Sequence, residues 1–122
     1  MISFDGFITE DGMPIYLQIV RHIKRDIVSS AIQDGDEVPS RRVLSALLGV
    51  NPNTIQKAYR LLEEEGLMES RSGAKSVMSL NADKITKVRQ ELLENDALAI
   101  IGALKQMGLS KEDALDLIQK YW

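Results

Sequence analysis

Four side chains within one short stretch carry the chemistry needed to read a nucleic-acid duplex. Asn53, Gln56, Lys57 and Arg60 are three and four residues apart, so a helix places them on one face. Asn and Gln amides bond adenine edges in pairs, and Lys or Arg bonds guanine edges or phosphate oxygens. Ile55, Ala58, Tyr59 and Leu62 form the complementary apolar stripe and read as core. Glu63, Glu64 and Glu65 gather at the far end. That polarity fits a helix entering a groove by its N-terminus. An isolated charge cluster is by default a solvated face, so its meaning depends on the elements around it.

Other chemistries find little footing. The 122 residues include no cysteine, which excludes disulfides and Cys-based zinc sites and suits a reducing compartment. His22 is the single histidine and falls on the wet side of its helix, with no partner to complete a metal site. Asp34, Asp36 and Glu37 read as a solvated turn. No serine has an evident base, and no glycine-rich phosphate loop occurs. The expectation is therefore no enzyme, no cofactor and no metal. Neither a signal sequence nor an apolar run of membrane-spanning length is visible, so the expected location is the cytoplasm.

Net charge is −3, yet its distribution favours an anionic partner locally. Residues 1–38 carry three Lys/Arg against seven Asp/Glu, and residues 39–80 carry six against four. Within 39–62 stand Arg41, Arg42, Lys57 and Arg60 and no acid at all. Screening makes nearby charges dominate, so such a face can dock on phosphates while the acidic remainder limits indiscriminate binding.

The elements that would position this face can be traced in order. After an irregular arm with Phe4 and Phe7, Pro14 opens an amphipathic helix over Ile15–Ile32. Tyr16, Ile19, Val20, Ile23 and Ile27 form its stripe, with Gln18, Arg21, His22, Arg25 and Ser29 opposite. Gln33-Asp34-Gly35-Asp36 stops it, with Gly35 as the cap. Val38-Pro39 is extended. Ser40 caps a second helix, about Arg41–Leu48, with Leu44, Leu47 and Leu48 inward. Gly49-Val50-Asn51 is a turn, and Asn51 with Pro52 starts the third helix, which ends at Gly66. Leu67–Ser70 and Lys75–Leu80 read as a hairpin about Arg71-Ser72-Gly73-Ala74. From Ile85 to Met107 a long helix of about 40 Å is expected at 1.5 Å per residue. Gly108 breaks it, and Ser110 caps a last helix whose inner side carries Ala114, Leu117, Ile118 and Tyr121.

Two short helices about a glycine turn, followed by a hairpin, are the parts of a winged helix-turn-helix. The runs Val38-Pro39-Ser40-Arg41-Arg42-Val43-Leu44, Leu48-Gly49-Val50-Asn51-Pro52-Asn53-Thr54-Ile55-Gln56-Lys57-Ala58-Tyr59 and Leu62-Glu63-Glu64-Glu65-Gly66-Leu67 resemble the GntR family of bacterial regulators. The Asn-Pro-Asn-Thr turn and short tail resemble its YtrA-type subfamily. The resemblance spans residues 14–80 by motif, and the tail by length and helicity. It implies that Arg42 reaches phosphate or base, that Asn51, Asn53, Thr54, Gln56 and Lys57 make the reading-helix contacts, and that Ser72 and Gly73 form the wing tip. Ser40, Arg60, Arg71 and Lys75 complete the candidate DNA-binding set. Two departures stand out: Val43 replaces the usual acidic residue after the arginine, and Ala74-Lys75-Ser76-Val77 replaces a glycine-threonine-phenylalanine wing.

The expected architecture is mainly α with a small β-hairpin. Residues 1–80 form the arm and DNA-binding domain, and residues 81–122 a C-terminal helical dimerisation tail. The last 42 residues are too few for a core of their own, so a second copy would cover their apolar stripe. Gly102 in mid-helix would permit close approach across a two-fold axis, or is merely tolerated; Tyr121 and Trp122 would anchor. The expected function is a homodimeric repressor on a palindromic operator of double-stranded DNA. An inducer of unknown identity would have to use the dimer interface, the arm or a groove. A protein-binding winged helix, an enzyme and a DNA-bridging protein remain as alternatives. Salt-dependent DNA affinity, activity screening and sequence preference would separate them.

Overall fold

The computed structural model describes the whole chain except Met1, Ile8, Glu10, Asp11 and residues 72–74. In order it contains α1 (Ile15–Val28), β1 (Glu37–Val38), α2 (Arg41–Leu48), α3 (Pro52–Glu64), β2 (Met68–Arg71), β3 (Lys75–Met78), α4 (Ala82–Gln106) and α5 (Lys111–Tyr121). The contacts divide it into two units, Met1–Arg89 and Gln90–Trp122, the division falling inside α4.

The first unit is built around α3, against which α1, α2 and β2 all pack. The α1 stripe of Ile19, Val20, Ile23 and Ile27 is buried, and so is the α3 stripe of Ile55, Ala58, Tyr59 and Leu62. Ile19, Ile23, Ile27, Leu44, Ile55, Leu62 and Met78 are the largest fully buried side chains. Each contributes roughly 1.5–3 kcal/mol of transfer free energy.

The wet side of α1 is drier than its pattern suggests. Gln18 is buried and donates from Nε2 to the Met13 carbonyl at 2.7 Å. His22 is half-buried because the N-terminal arm lies on it, with Phe4 stacked at 4.7 Å and Phe7 edge-on at 5.5 Å. Lys24 is buried and reaches Glu65 at 2.9 Å, tying α1 to the end of α3. An amphipathic stripe identifies the face that must be covered; it is silent about an arm that covers the other.

Helix α1 also ends four residues before the expected Ile32. Ser29 bonds back to the Asp26 carbonyl through Oγ, and Ser30 adopts φ +68°, so the chain leaves the helix there. The Ile32 amide then bonds to the Asp26 carbonyl at 3.0 Å and its side chain is buried outside the helix. Gly35 is not the cap. At φ +83° it shapes the Gln33–Asp36 turn and donates its amide to the Met78 carbonyl at 2.9 Å.

That bond sets Glu37 and Val38 beside the hairpin. The described sheet has three antiparallel strands in the order β1-β3-β2, where the sequence indicated two. A two-residue strand is too short to show alternation, and Pro39, lacking an N–H, ends it.

Ser40 Oγ accepts from the Val43 amide at 3.1 Å and starts α2; Gly49, at φ +68°, ends it. Leu44 is fully buried and Leu48 half-buried, but Leu47 is exposed, contrary to expectation. A short helix meets its neighbour along one narrow stripe, and the residue before Leu48 falls on its flank. Asn51 Oδ1 accepts from the Asn53 amide at 2.8 Å, and Pro52 opens α3. The first turn of α4 is bound to the same body. Lys84 Nζ donates to the Gly66 carbonyl at 2.6 Å and to Ser79 O and Oγ, both at 3.1 Å.

The second unit holds the remainder of α4 and all of α5. Gly108, at φ +79°, ends α4, and Ser110 Oγ caps α5 by accepting from the Asp113 amide at 3.1 Å. Leu92, Leu104, Leu109 and Ala114 are half-buried. Ile100, Ile101, Met107, Leu117, Ile118, Tyr121 and Trp122 are exposed in the single chain.

Candidate nucleic-acid interface

Helix α3 presents the face that the spacing predicted. Asn53, Lys57 and Arg60 are exposed, and Thr54 and Gln56 are half-buried at its edges. The opposite stripe holds the helix down. Tyr59 is buried, and its hydroxyl donates to the Pro39 carbonyl at 2.7 Å, fixing α3 to the β1–α2 junction. Burial pushes the Tyr59 phenol above the ordinary tyrosine range.

Several candidates already have partners. Asn51 and Ser40 spend one side-chain acceptor each on helix caps but remain exposed. Capping is compatible with phosphate contact, since both draw on a helix N-terminus. Lys57 Nζ lies 5.2 Å from the centre of the Tyr16 ring, so α1 steadies its cation. Arg42 is exposed at the start of α2. Its neighbour Arg41, absent from the sequence-derived set, donates from Nη1 to Gln56 Oε1. The sequence did hold a signal for Arg41, its place in the acid-free basic run, but the family motif drew attention to Arg42.

A groove opens between α2, α3 and the sheet, lined by Arg41, Arg42, Gln56, Tyr59, Glu63, Ser70 and Lys75. The groove brings together Ser40, Arg42, Gln56 and Lys75; Asn51, Asn53, Thr54, Lys57, Arg60 and Arg71 do not line it. Ser72 and Gly73, the expected wing tip, lie outside the described residues. The wing's flanking cations face acids: Arg71 Nη2 is 3.1 Å from Glu69, and Lys75 Nζ is 3.4 Å from Glu37. These pairs are exposed and worth little, so phosphates can compete for the cations.

The three glutamates do not all stand clear of the groove. Glu63 lines it and accepts from Ser70 Oγ at 3.4 Å, while Glu65 pairs with Lys24. Only contacts made on folding reveal that division of labour. Among the described residues no group of three or more His, Asp or Glu could hold a metal ion. No described helix is long and apolar enough to cross a membrane.

Comparison with known proteins agrees with this geometry. Residues 15–76 match the family described as bacterial regulatory proteins, gntR family. The HTH-type transcriptional regulator YhcF of Bacillus subtilis is 31% identical over 92% of this chain and 93% of its own. The HTH-type transcriptional repressor YtrA of the same organism is 36% identical over 75% of this chain and 73% of its own. A GntR family regulator structure from Listeria monocytogenes superimposes with a TM-score of 0.79 at 30% identity, covering 92% of this chain and 98% of that one. The α2–α3 pair with its sheet is therefore a winged helix-turn-helix, and the chain belongs to the YtrA-like branch of the GntR family of DNA-binding transcription regulators.

Proposed function

We propose that this regulator is a sequence-specific repressor that acts as a homodimer on a roughly palindromic operator. The observation that carries the reading is the exposed face of Asn53, Lys57 and Arg60 on a helix whose other side is locked into the core. The α3 helices of two copies enter successive major grooves about one helical turn apart. Asn53 and Gln56 read base edges. Lys57 and Arg60 bond guanine edges or phosphates, and Ser40, Arg42, Asn51 and Thr54 hold the backbone on the other side of the groove. Arg71, Ser72, Gly73 and Lys75 follow the adjacent phosphates from the wing.

Residues 81–122 serve as the pairing tail in this reading. Ile101, Leu117, Ile118, Tyr121 and Trp122 are exposed in one chain, and apolar surface on that scale is the mark of an interface. Repression, here by promoter occlusion in the cytoplasm, is the sign of regulation chosen because YtrA, which this chain resembles, is described as a repressor.

A gel shift on DNA upstream of the gene, repeated across a salt series, tests this. Lys57→Ala should weaken binding to every sequence alike and reduce the salt slope by about one. A variant that binds as the parent does at every salt concentration would remove α3 from the interface.

A further inference from the structure

We infer that the Tyr59 hydroxyl is a positioning group for DNA binding: it holds the start of α2, with Ser40 and Arg42, in register with the reading helix. The inference rests on the DNA-binding reading above and goes beyond it by naming the bond that aligns its separate contacts.

The carbonyl that accepts from Tyr59 belongs to the peptide unit joining Pro39 to Ser40, the N-cap of α2. That unit is planar, so a bond to its oxygen also constrains the direction in which the helix departs. Tyr59 and Pro39 are both buried, and losing the donor would leave a buried acceptor unpaired. The same junction carries the wing. Val38, one residue before Pro39, pairs with Ser76 of β3, next to Lys75. One hydroxyl on α3 thus ties the reading helix to the start of α2 and to the base of the wing.

Arg42 depends most on that tie. It is exposed in the first turn of α2, and among the described residues its side chain makes no hydrogen bond or ion pair, so the backbone of α2 sets its place. Phosphate contacts fix the register and orientation of a protein on the duplex. A small rotation of α2 against α3 would therefore take Ser40 and Arg42 off the phosphates while Asn53 and Gln56 stay at the bases. A second tie between the helices, from Arg41 to Gln56, is exposed on the α2 side, where water competes for the guanidinium. The buried bond is the firmer of the two.

The experiment is a gel shift with the full chain on its operator across a salt series, each variant first shown by circular dichroism to be folded at the assay temperature. Tyr59→Phe keeps the ring that fills the core and removes only the donor. It should bind about tenfold more weakly, the usual loss for one charge-assisted bond, with a salt slope lower by about one. Ile27→Val, a deletion of similar cost in the same core but on α1, should bind as the parent does. In an Arg42→Ala background Tyr59→Phe should change affinity by no more than about twofold, because the contact it steadies is already gone. A folded Tyr59→Phe protein that binds as tightly as the parent would overturn the inference. So would an equal loss in Ile27→Val, or a full tenfold loss added to that of Arg42→Ala. A parent that does not distinguish operator from random DNA defeats the DNA-binding reading and this inference with it; the other outcomes defeat the inference alone.

Discussion

Residues Met1–Arg89 and Gln90–Trp122 both carry apolar side chains at helical spacing, yet the two regions treat them in opposite ways. The first buries its stripes so thoroughly that seven large side chains are sealed from solvent. The second buries no residue at all, and leaves Leu98, Ile101, Leu117 and Ile118 between 43% and 61% exposed. Helical periodicity states which face dislikes water; it does not state what will cover that face. In the first region α1, α2 and the sheet wrap α3, so the reading helix is held by its own chain. In the second, too few residues exist to enclose a core.

The largest effect should come from disrupting the pairing proposed for the tail. Ile101→Asp combined with Ile118→Asp places charge on both exposed helix faces. The variant should sediment as a monomer with the helical content of its first region intact. Losing the second half-site contact should then weaken operator affinity roughly 10²- to 10⁴-fold, the usual gain from linked binding. Dimeric sedimentation of this variant would move the pairing surface elsewhere. Leu62→Ala tests the other region. Leu62 is fully buried, so deleting most of its side chain should cost about 2–5 kcal/mol, read from urea unfolding. The same loss should appear in the monomeric variant, because that core is complete within one chain.

Much of the reading head was legible because its signals are local. Ser40 and Asn51 stand where caps must stand, Gly49 and Gly66 where left-handed turns must close helices, and Asn53, Lys57 and Arg60 where a stripe at Ile55, Ala58 and Leu62 leaves them outside. The features that escaped the sequence depend on distant partners. Lys24 is a surface residue by type, and its burial goes with an ion pair to Glu65, forty-one residues on. The strand at Glu37–Val38 exists because Val77 and Ser76 pair with it. Arg41 gained its place beside Gln56 through the packing of α2 on α3. The tail's stripe was legible too, and its exposure in the single chain agrees with a segment too short to enclose a core.

A smaller effect tests how firmly the first region holds its reader. Tyr59→Phe removes the hydroxyl that donates to the buried Pro39 carbonyl, and should cost about 1–3 kcal/mol by leaving that acceptor unpaired. The pH dependence has a definite sign. Burial raises the phenol's pKa in the fold, whereas the unfolded chain releases the proton near the ordinary value of about 10. Above that pH the unfolded state binds fewer protons, so stability falls as pH rises. The parent should lose stability faster than Tyr59→Phe between about pH 9 and pH 11. Parallel decline would mean that Tyr59 is hydrated in solution.

The finest distinction concerns Gly102 on α4. A glycine in a helix interior costs about 1 kcal/mol relative to alanine. A Cβ built at Gly102 meets nothing within 4 Å in the single chain, so no contact there explains the residue. Close approach of a second copy would, because the smallest residue at a crossing lets two helix backbones come nearest. Gly102→Ala should therefore stabilise the monomeric Ile101→Asp, Ile118→Asp variant by roughly the helix-propensity difference of about 1 kcal/mol. In the parent, if it pairs as proposed, the same substitution should give no gain, or should weaken association in a sedimentation dilution series. An equal gain in both backgrounds would place Gly102 towards water and leave its cost uncompensated.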